Sequence, residues 1–254
     1  DLDLTTGLAE ESMQRTLVAL KSFSEILQVK SPLAIRTVGT AALRRASNGD
    51  DFVNKVAEQT NLNLEIIDGH QEAVLCSLGV LEALSPRPKN SLIIDIGGGD
   101  SFLVDYLLNE GFTDITVLDI SENAIKRAQK RLGEQADKVT WIVSDITEFR
   151  PTKQYHLWYD RAAFHFLKNA DEVALYKEIL EKSVIDNGHA IIGAFSDSGP
   201  LKCSGIEIQQ YSKEDFTNLF EGTSVIYKEI INVDHNTPFE TVQNFNFACY
   251  QKLS

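Results

Sequence analysis

In the first third of the chain, apolar residues recur at helical spacing. Leu17, Leu20, Phe23, Ile26 and Leu27 form one stripe and predict an amphipathic helix over residues 10–27. Residues 33–38 read as a short strand. The turn Asn48-Gly49 leads into a helix over 50–59, an alternating strand follows over 62–67, and a second helical pattern runs over 71–84. Ser85-Pro86-Arg87-Pro88-Lys89-Asn90 then breaks the pattern with two prolines. A domain boundary is expected there, dividing the chain into 1–88 and 89–254.

Beyond the prolines the alternation becomes regular. Strands are expected at 91–96, 114–119, 139–143, 156–159 and 189–195, with helices at 102–109, 122–132 and 171–182. Apolar strands alternating with helices predict a parallel α/β sheet. Ser121 can cap the helix at 122–132, Lys130 and Arg131 occupy its last turn, and Gly133 follows it. Two further strands are expected at 224–233 and 242–252, joined by a turn at 235–238.

Composition narrows the function classes. Of 254 residues, 43% are hydrophobic, enough for a sizeable core, and the formal net charge is −13. Both parts of the chain are acidic, which disfavours a nucleic-acid partner, since a phosphate-backbone binder needs a basic face. Cys76, Cys203 and Cys249 are far apart and form no CxxC pair, so neither a disulfide framework nor a zinc site is expected. His70, His189 and His235 lack partners at metal-ligand spacing, and no metal is assigned. No apolar run approaches the ~20 residues of a membrane span. A soluble cytoplasmic protein is the expectation.

The chemistry concentrates where the regular strand pattern begins, at Ser91. Ser91 to Ile96 runs directly into Gly97-Gly98-Gly99 and then a helix. Glycines let a backbone turn sharply and let a ligand approach the main chain. The spacing departs from GxGxxG, because Phe102 stands where the third glycine falls. The next strand ends in Asp119, roughly 20 residues after Gly97, where a ribose-binding carboxylate belongs. Asp145 follows the third strand. Asp95, Asp119 and Asp145 thus stand at the ends of three successive strands, the side on which a doubly wound sheet binds ligands.

Ile94 to Ser101, Val117-Leu118-Asp119-Ile120-Ser121 and Asp160 to Leu167 resemble the small class I S-adenosylmethionine-dependent methyltransferases, from Ser91 to the end of the chain. The resemblance implies a seven-stranded Rossmann-like core with S-adenosylmethionine as cofactor. It implies that the loop Gly97, Gly98 and Gly99 meets the cofactor's amino-acid portion, Asp119 the ribose and Asp145 the adenine, with Asp95, Ile120 and Ile146 also in the cofactor site. Members usually carry Asp at the place of His156 and often His at that of Tyr159.

A small-molecule methyl acceptor is expected at the edge of the same crevice. Asp160 and Arg161 are placed to orient it and His165 to take its proton; the alternative is that Asp160 and Arg161 pair and His165 is a packing residue. Residues 196–205 are placed to cover the pocket. Cys203 reads as a small half-buried residue, with a nucleophilic role as the alternative. Trp158 and Phe195 read as core.

The first part carries a second resemblance. Thr37 to Arg44, Ala46 to Gly49, and Ile66 to Ala73 with Leu78-Gly79-Val80 are similar to exopolyphosphatases and guanosine pentaphosphate phosphohydrolases, over about residues 2–99. This implies a partial ribonuclease-H-like (actin-like ATPase) α/β segment, with Arg44 holding a phosphate and Glu72 as base for water attack. The family's second glycine loop continues Ser-Thr-Glu, whereas here Asp100-Ser101-Phe102 follows, and Val74 replaces its arginine. The chain reads as a fusion meeting at Leu92 to Gly99. Methyl transfer is the leading expectation, with phosphoanhydride hydrolysis and a non-catalytic binding role as alternatives.

Overall fold

The computed structural model describes residues 2–3, 7–39, 41–67, 90–236 and 242–254. The chain divides into two units, one of Asp1–Glu72 with Asn236–Glu240, the other of Ala73–His235 with Thr241–Ser254. The expected helix at 71–84, most of the proline-rich boundary, and Glu72 lie outside the described residues.

In the first unit β1 (Leu2–Asp3) pairs antiparallel with β2 (Gly7–Leu8). The helix Glu10–Lys30 follows and outruns its expected end by three residues. Its buried positions are Met13, Leu17 and Ser24, with Leu20 and Leu27 packed beside them. The expected stripe is therefore corrected. Met13 and Ser24 belong to the inner face, whereas Phe23 and Ile26 are 55% and 46% exposed. The reason is polar: Ser24 Oγ donates to the Thr60 carbonyl at 2.7 Å, which turns that face inward. β3 (Thr37–Gly39) and β4 (Leu64–Ile66) pair in parallel, linked through the helix Gly49–Thr60. Both strands are shorter than expected. Phe52, Val56, Leu62 and Leu64 complete this small α/β core.

The second unit is built on a seven-stranded sheet, in the order β12-β13-β9-β8-β5-β6-β7. Its strands are β5 (Ile93–Ile96), β6 (Ile115–Asp119), β7 (Val139–Val143), β8 (Tyr155–Arg161), β9 (Val184–Phe195), β12 (Val225–Asn236) and β13 (Val242–Lys252). β5 pairs in parallel with both β6 and β8, and β13 runs antiparallel to β9. From β5 the chain winds first to one side and later to the other. The strand order therefore reverses beside β5, where such sheets open a ligand crevice at their carboxyl ends.

Side-chain alternation divides the apolar residues between two faces. Ile94, Ile96, Leu118 and Trp158 join the core under the helix Ala170–Ser183. Ile93, Val117, Leu157 and Tyr159 join the core with Leu103, Val104 and Leu107 of the helix Leu103–Asn109. Burial on both faces explains the continuous apolar strands.

Local chemistry punctuates the elements as expected. Ser121 accepts from Ala124 N at 3.2 Å and caps the helix Glu122–Leu132. β8 is longer than expected and includes Asp160 and Arg161. β9 starts at Val184 rather than residue 189, with a register irregularity against β8 and Asn187 at φ 63°. His156, where the resembled family usually has Asp, accepts the Leu92 N–H on Nδ1 at 3.0 Å.

Candidate functional site

The turn out of β5 is shaped by glycine. Gly97 has φ +71°, a conformation that penalises any Cβ, and a Cβ there would stand 2.9 Å from that of Ala163. Its N–H donates to the Leu118 carbonyl at 2.7 Å, which ties the loop to the end of β6. A Cβ on Gly98 would lie 2.3 Å from Asp95 Oδ2. The sequence therefore leaves Asp95 a cradle that any other residue at 98 would fill.

Asp95 is buried, and its Oδ2 has no hydrogen-bond partner. Burial pushes its carboxyl well above the usual carboxylate range; Asp160 and then Asp119 push the same way, and Arg161 opposes them. An orphaned carboxylate oxygen against a glycine loop is a place for a cationic donor.

Asp119 is buried at the end of β6, and its two oxygens are organised by backbone donors. Gly99 N–H donates to Oδ2 at 2.9 Å and Ser121 N–H to Oδ1 at 2.7 Å. Each oxygen keeps a second lone pair for a ligand hydroxyl. Ile120, the next residue, is 69% exposed, an apolar side chain held open at the strand ends. Asp145 follows β7; its Oδ1 accepts both the N–H and the hydroxyl of Thr147, at 2.8 and 2.7 Å. Ile146 begins the short turn Ile146–Glu148, and its side chain is packed into the core.

The structure brings Asp160, Arg161 and His165 together at the end of β8 but gives them unlike surroundings. Asp160 is 0% exposed. Its Oδ1 accepts from Ala163 N at 2.9 Å and Phe164 N at 3.1 Å, and its Oδ2 accepts from the Tyr176 hydroxyl at 2.8 Å. Trp158 Nε1 donates in turn to Tyr176 at 3.0 Å. Burial raises the Asp160 pKa to about 6 against the pull of these bonds. This carboxyl holds the loop that follows β8.

Arg161 is half-buried and shares with Asp95 one face of neighbouring strands, because Asp95 is in register with Tyr159. Its guanidinium carbon lies 5.8 Å from the Phe245 ring centre. His165 is fully buried between Phe166 and Phe195, with ring centres 4.8 Å from each. Its Nδ1 accepts the Phe195 N–H at 3.5 Å, Nε2 has no partner, and burial lowers its pKa to about 4.

Residues 196–211 are tied across this end of the sheet. Gln209 N–H donates to the His165 carbonyl at 2.8 Å, Tyr211 N–H to Phe195 at 2.9 Å, and the buried Asn246 amide to Tyr211 at 3.0 Å. β10 (Lys202–Cys203) and β11 (Ile206–Glu207) form a small hairpin here. Cys203 is half-buried, and desolvation raises its thiol pKa while Arg161 draws it down. Trp158 and Phe195 are core residues, as expected. Sequence reasoning passed over Tyr176 and Asn246. Tyr176 sits on a helix whose pattern marks it only as apolar, and Asn246 alternates among strand residues, so neither carries a local signal.

In the first unit Arg44 is half-buried and its Nη1 donates to the Ile67 carbonyl at 2.5 Å. The guanidinium expected to hold a phosphate thus ties β4's end to its own helix. Its expected partner Glu72 lies outside the described residues.

Two family models match the chain. The model of the Ppx/GppA phosphatase family matches residues 1–104, and that of a methyltransferase domain matches 93–182. The two segments share the strand β5 and its glycine loop. Solved structures similar to the chain include N-methyltransferase NodS from Bradyrhizobium japonicum WM9, 17% identical over 73% of this chain and 97% of that one, with a TM-score of 0.57. The 1,6-didemethyltoxoflavin-N1-methyltransferase of Burkholderia thailandensis, crystallised with 1,6-didemethyltoxoflavin and S-adenosylhomocysteine, is 14% identical over 73% and 79%, with a TM-score of 0.55. Magnesium protoporphyrin IX methyltransferase (ChlM) from Synechocystis PCC 6803 with bound SAM is 16% identical over 72% and 80%, at 0.55. The second unit has the Rossmann-like fold of these enzymes.

Proposed function

We propose that the second unit is an S-adenosylmethionine-dependent methyltransferase acting on a small molecule. The observation that carries this reading is the buried, unpartnered Asp95 Oδ2 beside Gly98, whose missing Cβ leaves room for the cofactor's ammonium group. Asp119, already oriented by Gly99 and Ser121, accepts from the ribose hydroxyls. Ile120 offers an apolar surface to the adenine, and Asp145 accepts from its amino group. When bound, the cofactor supplies an electrophilic methyl group on a sulfonium.

The chain's task is then to place an acceptor in line with that methyl and to exclude water. Asp160 serves by locking the turn that carries Arg161 to His165. Arg161 orients the acceptor, and residues 196–211 cover it. The net charge of −13 accords with a small-molecule acceptor rather than nucleic acid.

Titration calorimetry of the whole chain with S-adenosylmethionine and S-adenosylhomocysteine tests the reading. Binding is expected at micromolar level and is expected to vanish in Asp119→Ala. A folded sample that binds neither compound refutes it. The engagement of Arg44 with Ile67 gives the phosphohydrolase alternative no support.

A further inference from the structure

Among the described residues, Asp160, His165, Cys203 and Glu207 are the groups at the end of β8 and in the covering hairpin that could take a proton from an acceptor, and each is occupied or shielded; Glu207 is paired with Lys168 at 3.3 Å. Asp160 is fully buried, with donors from Ala163, Phe164 and Tyr176 on its two oxygens. His165 offers Nδ1 to the Phe195 N–H and is enclosed by Phe166 and Phe195, and burial keeps its ring neutral down to a pKa of about 4. A ring so depressed is a weak base at neutral pH. Cys203 is half-buried, with its thiol pushed up by desolvation. Of the nearby tyrosines, Tyr211 is pushed up to about 12, and Tyr159 and Tyr176 are buried. Asp95 and Asp119 belong to the cofactor side.

Positive charge faces this region instead. Arg161 lies on the same sheet face as Asp95, and its field reaches both Asp95 and Cys203. The surrounding wall is aromatic, with Phe195 and Phe245 at 4.7 Å between ring centres.

Resting on the methyltransferase reading, we propose that the acceptor is a small organic anion whose nucleophilic atom is already deprotonated, a thiolate or a carboxylate, held by Arg161 and methylated without a general base. A lone pair of the anion forms the new bond to the methyl carbon. The carbon–sulfur bond of the sulfonium breaks, and its electron pair stays on that sulfur. One negative and one positive charge disappear together and no proton is released. Charge annihilation is favoured where water is excluded and the walls are apolar. A cation beside the acceptor also holds a thiol or carboxyl in its ionised form.

The test follows S-adenosylhomocysteine formation by the full chain with ring compounds of one size: substituted thiophenols, benzoate, phenol and benzylamine. Turnover is expected with thiophenols or benzoate, and at least about 100-fold slower with phenol and benzylamine. Thiophenol turnover separates the thiolate source from benzoate turnover. Across the thiophenols, the pH midpoint of kcat/KM is expected to move with the acceptor's own pKa. Arg161→Gln is expected to raise KM for the anion about 10-fold or more, with Arg161→Lys recovering part of it and leaving S-adenosylhomocysteine affinity unchanged.

Faster reaction of benzylamine, a pH midpoint that stays put across the series, or an unchanged KM in Arg161→Gln each overturns the proposal. So does cofactor binding without turnover of any anion, which leaves the methyltransferase fold reading in place. Failure to bind the cofactor at all overturns the underlying reading, and the proposal with it.

Discussion

The Tyr176 hydroxyl donates to Asp160 Oδ2 at 2.8 Å inside the protein, and thereby joins the helix Ala170–Ser183 to the strand end that bears the crevice. Hydrogen bonds to buried charged groups are worth about 1.5–3 kcal/mol. Tyr176→Phe is therefore expected to destabilise the second unit by about that much in urea unfolding. It also removes a bond that lowers the Asp160 pKa, so the carboxyl is expected to titrate still higher. Loosening of the turn 161–166 should appear as a raised KM for the methyl acceptor with little change in cofactor affinity.

Asp160 and His165 place opposing slopes on stability. The Asp160 pKa rises on folding to about 6, so its contribution is fully present below about pH 4 and is lost as the pH rises through 6. The His165 pKa falls on folding to about 4, so its contribution is present above about pH 6.5 and is lost as the pH falls through 4. Each is worth on the order of 2–3 kcal/mol across that window. Relative to the parent chain, His165→Asn is expected to gain stability as the pH is lowered from 6.5 to 4. Asp160→Asn is expected to gain it as the pH is raised over the same window. Urea midpoints at pH 4.5 and 7 check both signs.

Gly98→Ala sets a methyl group 2.3 Å from Asp95 Oδ2, and Gly97→Ala demands φ +71° of an alanine. Gly98→Ala is expected to lower S-adenosylmethionine affinity at least about 10-fold by closing the cradle. Gly97→Ala is expected to cost about 1–2 kcal/mol of stability as well. Calorimetric binding beside thermal unfolding distinguishes the two variants.

Asp95 holds its proton unusually tightly because it is buried among carboxylates. An ammonium group arriving at Oδ2 favours the ionised form. Cofactor binding is therefore expected to release protons. The measured binding enthalpy should shift between phosphate and Tris buffers at pH 7, and Asp95→Asn should abolish that shift.

Arg44→Ala removes the donor to the Ile67 carbonyl. It is expected to cost the first unit about 1 kcal/mol and to leave methyl transfer unchanged. Phosphate release from polyphosphate with magnesium is expected to be absent in the parent chain and in this variant alike; measurable release by the parent chain alone would restore a phosphate-holding role to Arg44.

Much of this protein is written locally. Continuous apolar runs at Ile93–Ile96 and Ile115–Asp119 specify strands buried on both faces, because only such a sheet hides every side chain. Three glycines before a helix, and acids at Asp119 and Asp145, specify where a ligand enters, because strand ends of a doubly wound sheet converge there. Ser121, Lys130, Arg131 and Gly133 mark one helix from cap to stop through bonds made within a single turn.

Tertiary packing decided what local pattern left open. Ser24 faces inward because its hydroxyl reaches the Thr60 carbonyl, 36 positions away, so the helix stripe rotates away from Phe23. The fates of Asp160, Arg161 and His165 are likewise non-local. One tyrosine from a later helix occupies Asp160, two phenylalanines enclose His165, and Arg161 is half-buried beside Phe245. Desolvation and the identity of each partner set the charge of such groups, and both depend on which distant segments fold against them. Hydrophobic spacing encodes the sheet and its crevice; the proton inventory of that crevice is a property of the packed structure.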